Sequence, residues 1–201
     1  MSLKNRVSKH FAVAAVAAAA ATSAHADIVH SGTVNHNIAA SLNGLYINVV
    51  TGAINAGGGG GGTVAGWDLN FWSSTGFGMF SPGLPGGGAY VVNAGVGVNM
   101  SFGDTIDGSD TFGTGSSLTV SQWNLNSDEN LVGFRFHNED TAAVHYGWAR
   151  IGFGASITDR WLVEYAYESE AGVGIGAGIV PAPSAMALLG LGGLVAGRRR
   201  R

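Results

Sequence analysis

The chain has 201 residues, 46% of them hydrophobic and 11% charged, with 34 glycines, no cysteine and a formal net charge of −3. Charged residues stand well below their usual share of about 25% and glycine well above its usual 7% or so, which excludes a basic nucleic-acid binder, a charged coiled coil and a highly charged disordered chain. Without cysteine there is no disulfide framework, no zinc finger and no thiol nucleophile.

The charge is partitioned along the chain. Lys4, Arg6 and Lys9 lie in the first ten residues, and Arg198, Arg199, Arg200 and Arg201 are the last four. All thirteen acids lie from Asp27 to Glu170, where the only bases are Arg135, Arg150 and Arg160, so the middle carries −10. That division marks three segments: 1–26, 27–179 and 180–201. The first is built as a secretory signal. Its basic start leads into an apolar run over 11–21, then Thr22, Ser23 and the small-residue site Ala24-His25-Ala26. The basic end stays on the cytoplasmic face while the short apolar helix enters the membrane. Signal peptidase then cuts after Ala26, and the mature chain starts at Asp27.

The body shows no sustained apolar period of 3.6 residues. Short alternating or apolar runs bounded by Gly, Asn, Asp and Ser predict strands over 45–50, 64–72, 90–98, 118–123, 131–136, 144–153 and 161–167. This predicts an all-β fold, an antiparallel β-sandwich of jelly-roll-like form, flanked by the signal helix and a short C-terminal hydrophobic helix. In the last strand, Trp161, Val163, Tyr165 and Tyr167 are expected on one face, with Leu162, Glu164, Ala166 and Glu168 on the other. Val132, Phe134 and Phe136 share a face opposite Gly133 and Arg135. Arg135 and Arg150 are expected to pair with acids such as Glu164 or Glu168. The six glycines over 57–62 contain a G-x-G-x-x-G pattern, but without a strand before and a helix after they read as a surface loop.

Few side chains point to catalysis. There is no Gly-x-Ser-x-Gly elbow and no His-Glu-x-x-His. His137, Glu139, Asp140 and His145 would make a metal site if a hairpin joined both histidines. The plainer reading is a turn at 137–142 between two strands, with His145 on a sheet surface. Asp104, Asp107 and Asp110, spaced D-x-x-D-x-x-D on a Gly/Ser loop, suit the oxygen-rich shell of Ca²⁺, the sole cofactor candidate. Their spacing matches neither an EF-hand nor a Gly-Gly-x-Gly-x-Asp repeat, so a solvated loop is the plainer reading here too. Glu164, Glu168 and Glu170 cluster, but four strand positions put the first two about 13 Å apart, too far for either glycosidase geometry. The chain is therefore expected not to be an enzyme. Five tryptophans, Trp67, Trp72, Trp123, Trp148 and Trp161, are available either to fill a core or to stack on sugars. Trp67, Phe71 and Trp72, just after the polyglycine loop, have the least reason to be core.

The third segment opens with Val180 and Pro181-Ala182-Pro183-Ser184, continues through uncharged residues 185–197 and ends in the four arginines. Thirteen helical residues reach roughly 20 Å against a bilayer core of about 30 Å. With residues 182–184 included and the arginines snorkelling, the segment just spans, its basic end held in the cytoplasm.

Proline motif, short apolar helix and terminal arginines, in that order, resemble the PEP-CTERM sorting signal of Gram-negative bacteria. Pro181 and Pro183 match its two prolines, residues 185–197 its helix, and Arg198, Arg199, Arg200 and Arg201 its basic end. Ala182 stands where the pattern has glutamate. In the body, Val132-Gly-Phe-Arg-Phe136, His145-Tyr-Gly-Trp-Ala-Arg-Ile-Gly152, Glu164-Tyr-Ala-Tyr-Glu-Ser-Glu-Ala-Gly172 and Gly176-Ala-Gly178 are similar to a pattern common in ectodomains of that family. The resemblance implies recognition in the inner membrane by an exosortase, a membrane-embedded cysteine transpeptidase, and processing near the prolines. It further implies a final place at the cell surface or in the extracellular matrix, with exopolysaccharide or biofilm as the surroundings; the charge balance, for its part, excludes a nucleic-acid partner. The alternative function is a glycan-binding β-sandwich module that the tail merely localises.

Overall fold

The computed structural model describes residues 27–55, 59–114 and 122–180. Both expected flanking helices, together with Ala24, Ala26, Pro181, Ala182, Pro183, Arg198, Arg199, Arg200 and Arg201, lie outside the described residues. Thirteen strands are described: β1 (Ile28–His30), β2 (His36–Asn37), β3 (Leu45–Ile47), β4 (Leu69–Trp72), β5 (Gly78–Phe80), β6 (Gly88–Asn93), β7 (Val96–Gly97), β8 (Thr105–Ile106), β9 (Phe112–Gly113), β10 (Ser127–Asn138), β11 (Ala143–Phe153), β12 (Arg160–Glu168) and β13 (Ile175–Gly176). Every strand pairing is antiparallel and the sheets are open, so the expected all-β antiparallel class holds. Among the described residues the helical content is a 3-10 turn at Gly61–Thr63 and the single 3-10 residue Gln122, and no helix is long and apolar enough to cross a membrane.

The largest sheet runs β1-β12-β11-β10-β6-β7, with β2 also paired to β12 and β9 to β6. Its three long central strands are those predicted over 131–136, 144–153 and 161–167, the first and last extended at both ends and the middle one by a residue at its start. They are long because large apolar residues recur at every second position with no Gly/Asn/Ser cluster between them. The β10–β11 hairpin closes over 139–142, where Ala142 takes a left-handed φ of 52° and Asn138 Oδ1 accepts from Asp140 N–H at 2.9 Å. The expected turn is there. The strand predicted over 90–98 is instead a hairpin: Ala94 and Gly95 both have positive φ (50° and 78°) and join β6 to β7 through the two-residue loop that such a pair favours. The strand predicted over 64–72 starts only at Leu69, because 61–66 is spent in turns. Of 118–123, residues 118–121 lie outside the described residues, and Trp123 stands in a bend with its ring edge-on to Phe77 at 5.1 Å.

Both faces of this sheet are covered. On one side β3, β4 and β5 form a second sheet, and its Leu45, Ile47, Leu69, Phe71 and Met79 pack with Val132, Phe134, Phe136, Ile151, Phe153 and Leu162. On the other side the ribbon of β8 and β13 brings Ile106 and Ile175 onto Leu131, Tyr146, Trp148 and Ala166. Two-sided burial explains why the central strands read as nearly continuous apolar runs.

One expected face assignment in β12 is wrong. Arg150 pairs with Glu164 but Ile151 pairs with Leu162, which leaves Val163 as a bulge. A bulge adds one residue and so reverses the in–out phase beyond it. Leu162 therefore shares the main core with Tyr165 and Tyr167, and Trp161 turns outward. The alternation in β10 carries no such break, and Val132, Phe134 and Phe136 do share one face.

Arg160, at the start of β12, is 1% exposed. Its guanidinium donates to the carbonyls of Gly76, Ile157 (3.4 Å), Ala39 (3.2 Å) and Ser73 (2.6 Å) and lies over the Phe77 ring at 5.6 Å. Burial lowers it to about 10, so it remains a cation at neutral pH.

Candidate functional site

The outer face of the β3-β4-β5 sheet gathers one exposed and three half-buried aromatics. Register aligns Tyr46, Asn70 and Phe80 across the three strands. Because side chains alternate along a strand, the burial of Leu45, Ile47, Leu69, Phe71 and Met79 in the core turns Tyr46, Asn70, Trp72 and Phe80 away from it. Trp67, just before β4, meets the Tyr46 ring edge-on with centroids 4.7 Å apart. It lies 6.0 Å from Phe80 with the two rings inclined by 35°. Phe80 is 45% exposed, while Tyr46, Trp67 and Trp72 are half-buried.

The polyglycine run makes this face possible. A Cβ on Gly61 would come within 2.7 Å of Tyr46 Cε1 and 2.8 Å of Trp67 Nε1, so this position has to be glycine for the loop to lie against these rings. Asn55 ties the loop down: its Nδ2 donates to the carbonyls of Gly59 (2.6 Å) and Gly44 (3.1 Å), and its Oδ1 accepts from Tyr46 N–H (2.7 Å). Asn70 Nδ2 donates to the Asn43 carbonyl at 2.7 Å. The only charged residue in 42–46, 59–63, 67–72 and 78–80 is Asp68, which is 1% exposed and turned inward. The result is an aromatic platform with no outward charge on its own strands, bordered at Gly66 by the Glu139 carboxylate, whose neighbouring amides are already engaged with backbone.

Trp67 and Trp72 were the tryptophans with least reason to be core, and they are surface groups; Phe71, bracketed with them, is fully buried. Trp148 and Trp123 are core. Trp161 lines a separate open cavity of about 250 Å³ with Asn126, Ser127, Asp128, Phe153 and Gly154. Its ring lies across Gly152, where a Cβ would stand 2.3 Å from Cε2. Tyr46 and Phe80 had no sequence flag, since β3 and β5 are only three residues each.

The acidic candidates are spoken for locally. Asp104 Oδ2 accepts from Ser101 N–H (2.8 Å), and Asp110 Oδ2 from Asp107 N–H (2.9 Å). Asp107 Oδ1 accepts from the Ser109 N–H (2.8 Å) and hydroxyl (2.6 Å), which hold its carboxyl below the usual range. Each carboxylate thus shapes a turn, and among the described residues no group of three His, Asp or Glu is arranged to hold a metal ion.

His145, expected on a sheet surface, is completely buried. Its Nδ1 donates to the Glu168 carbonyl (2.8 Å), its Nε2 meets the Thr141 hydroxyl (2.8 Å), and the ring packs beside Phe136 and Tyr167. The two-sided cover of the sheet explains the difference. Arg150 makes the expected pair with Glu164, its Nε donating to Oε1 at 2.8 Å. It also bridges to Glu129, while His30 Nε2 lies 3.1 Å from the other Glu164 oxygen. Arg135 departs from expectation: its guanidinium stacks over Phe112 at 4.4 Å, because it faces Tyr146 and Ala89 rather than the acids of β12.

Asp68 is the most perturbed carboxylate among these. Burial pushes it up to about 7, against the lowering effect of the Val49 N–H that donates to Oδ2 at 2.8 Å, and the nearby Glu139 charge raises it further. Sealed from solvent, it acts on stability rather than on a ligand.

Comparison of the chain with protein-family models, with curated proteins and with solved structures gives no match in any of the three.

Proposed function

We propose that the chain is an exported, non-enzymatic protein of the cell surface or extracellular matrix of a Gram-negative bacterium. Signal peptidase frees it at Asp27. It then passes transiently through the inner membrane, where exosortase engages Pro181, Ala182, Pro183, the apolar stretch over 185–197 and the four arginines, and it ends among exopolysaccharide. In this reading the facing sheets make a jelly-roll-like β-sandwich that serves as the displayed body.

The observation that supports the reading is how the fold closes just inside both processing points. Asp27 exchanges bonds with Ser169: the Ser169 N–H donates to the Asp27 carbonyl (3.0 Å), and the Asp27 nitrogen to the Ser169 hydroxyl (3.3 Å). At the other end Trp148 Nε1, from the middle of the large sheet, donates to the Ile179 carbonyl at 3.0 Å. The Ala177 N–H donates to the Asp104 carbonyl and the Gly103 N–H to the Ala177 carbonyl (2.8 Å each). These bonds all fall within 27–179, so cleavage at either side leaves them intact.

Replacing all four C-terminal arginines by serine in the native host tests the role of the tail. The variant is expected to lose its signal peptide normally but to keep residues 181–201 and miss its usual fraction. Wild-type mass and distribution in the variant would overturn the assignment.

A second reading, a glycan-binding module carried to the surface by the tail, is favoured by the aromatic face around Trp67.

A further inference from the structure

We infer that the face formed by Tyr46, Trp67 and Phe80 is the binding site for an uncharged polysaccharide, a proposal that rests on the second reading above and assigns it a site and a ligand class. Three observations point the same way. Trp67 and Phe80 lie side by side at 6.0 Å with their rings inclined by 35°, and Tyr46 stands edge-on to Trp67, which gives a continuous, shallowly angled apolar surface. The C–H faces of pyranose rings bury well on such a surface, against the electron-rich faces of aromatic rings. Second, the amides around the face are already engaged: Asn55 with Gly44 and Gly59, and Asn70 with Asn43. Recognition by stacking, without a dense set of convergent polar groups, suits a repeating chain that slides in register and suits a single small sugar poorly.

Third, charge selects within the polysaccharides. The strands of the face carry no charge turned outward, the exposed carboxylate of Glu139 borders it at Gly66, and the body between Asp27 and Glu170 carries thirteen acids against three arginines. A uronic or sulfated polymer meets net repulsion and no cation to pair with, whereas a neutral polymer meets neither. Gly61 lies against Tyr46 and Trp67, and the loop that carries it is tied at Gly59 by Asn55, so this loop borders the platform. Trp161 serves as an internal control: it is also half-buried, but its cavity carries Asp128 and lacks a second exposed aromatic.

The test is affinity electrophoresis of the full chain in gels containing a neutral polymer, laminarin or dextran, or the polyanion alginate. Wild type is expected to be retarded by at least one neutral polymer and not by alginate. Trp67→Ala and Phe80→Ala are each expected to weaken that binding at least tenfold, and Trp161→Ala to leave it unchanged. Phe80 is exposed, so its truncation keeps the test interpretable should Trp67→Ala fail to fold. Retardation that survives both Trp67→Ala and Phe80→Ala would overturn the site while leaving the glycan-binding reading intact. No retardation of wild type by either neutral polymer would overturn that reading and the inference with it. Equal retardation by alginate would overturn the charge selection. A concentration-dependent dimer dissolved by Phe80→Ala would overturn the proposal in favour of a self-interface.

Discussion

Arg160→Met is expected to lower the unfolding free energy by about 3 kcal/mol or more, read as a shift in the urea midpoint. The four carbonyls that Arg160 holds belong to Ala39, Ser73, Gly76 and Ile157, segments far apart in the chain. Methionine fills much of the same volume beside Phe77 but offers none of these carbonyls a donor. A buried acceptor left unmatched costs about 1–3 kcal/mol, and Arg160→Met strands several at once, with part of the loss offset by no longer burying a charge. Arg160→Lys should fall between wild type and Arg160→Met: an ammonium keeps the charge but cannot reach with its three donors what a planar fork reaches in two directions. A loss below about 1 kcal/mol for Arg160→Met would mean that water replaces the guanidinium without penalty.

Asp68→Asn is expected to stabilise the protein at pH 8 and to change little at pH 4. The folded chain keeps a proton on Asp68 up to about pH 7, whereas the unfolded chain gives it up near 3.8. The folded state thus binds the extra proton between those values, and stability is fully present below about pH 4 and lost as pH rises through about 7. At 1.36 kcal/mol per unit, the difference approaches about 4 kcal/mol above pH 7. Asparagine carries no charge to desolvate or to repel Glu139, and its Oδ1 still accepts from Val49 N–H. Denaturant titrations of both proteins from pH 4 to pH 9 give the quantity to follow, the variant-minus-wild-type difference. It should grow by about 2–4 kcal/mol across that range. A difference independent of pH would show that Asp68 ionises in the folded state as freely as in the unfolded one.

The three long strands were legible because Val132, Phe134 and Phe136, and likewise Tyr165 and Tyr167, keep a period of two that no helix shares. What covers them was not. Burial on the second face depends on Ile106 and Ile175, held in two-residue strands whose partner lies some 70 positions away, and nothing local announces such a pairing. For the same reason His145 read as a surface residue. The Val163 bulge was invisible because Trp161, Val163 and Tyr165 alternate well on paper; only the partner strand's register moves Leu162 into the core.

The candidate site was half legible. Trp67 and Trp72 stand beside a glycine tract where no regular packing is forced, whereas Tyr46 and Phe80 join them only through the β3-β4-β5 register. Asp68 left a faint trace as the one acid within the apolar stretch 64–72. Arg160 left none, since an arginine that binds only carbonyls has no charged partner in the sequence to betray it.

The net charge of −3 that characterises the full chain averages segments that, on the proposed reading, part company during export. The direct measurement is the intact mass of the protein isolated from its native host. The expected species begins at Asp27 and ends near Pro181, with a body charge of −10 and no lysine. A species that retains Arg201, or one that begins at Met1, would contradict that reading.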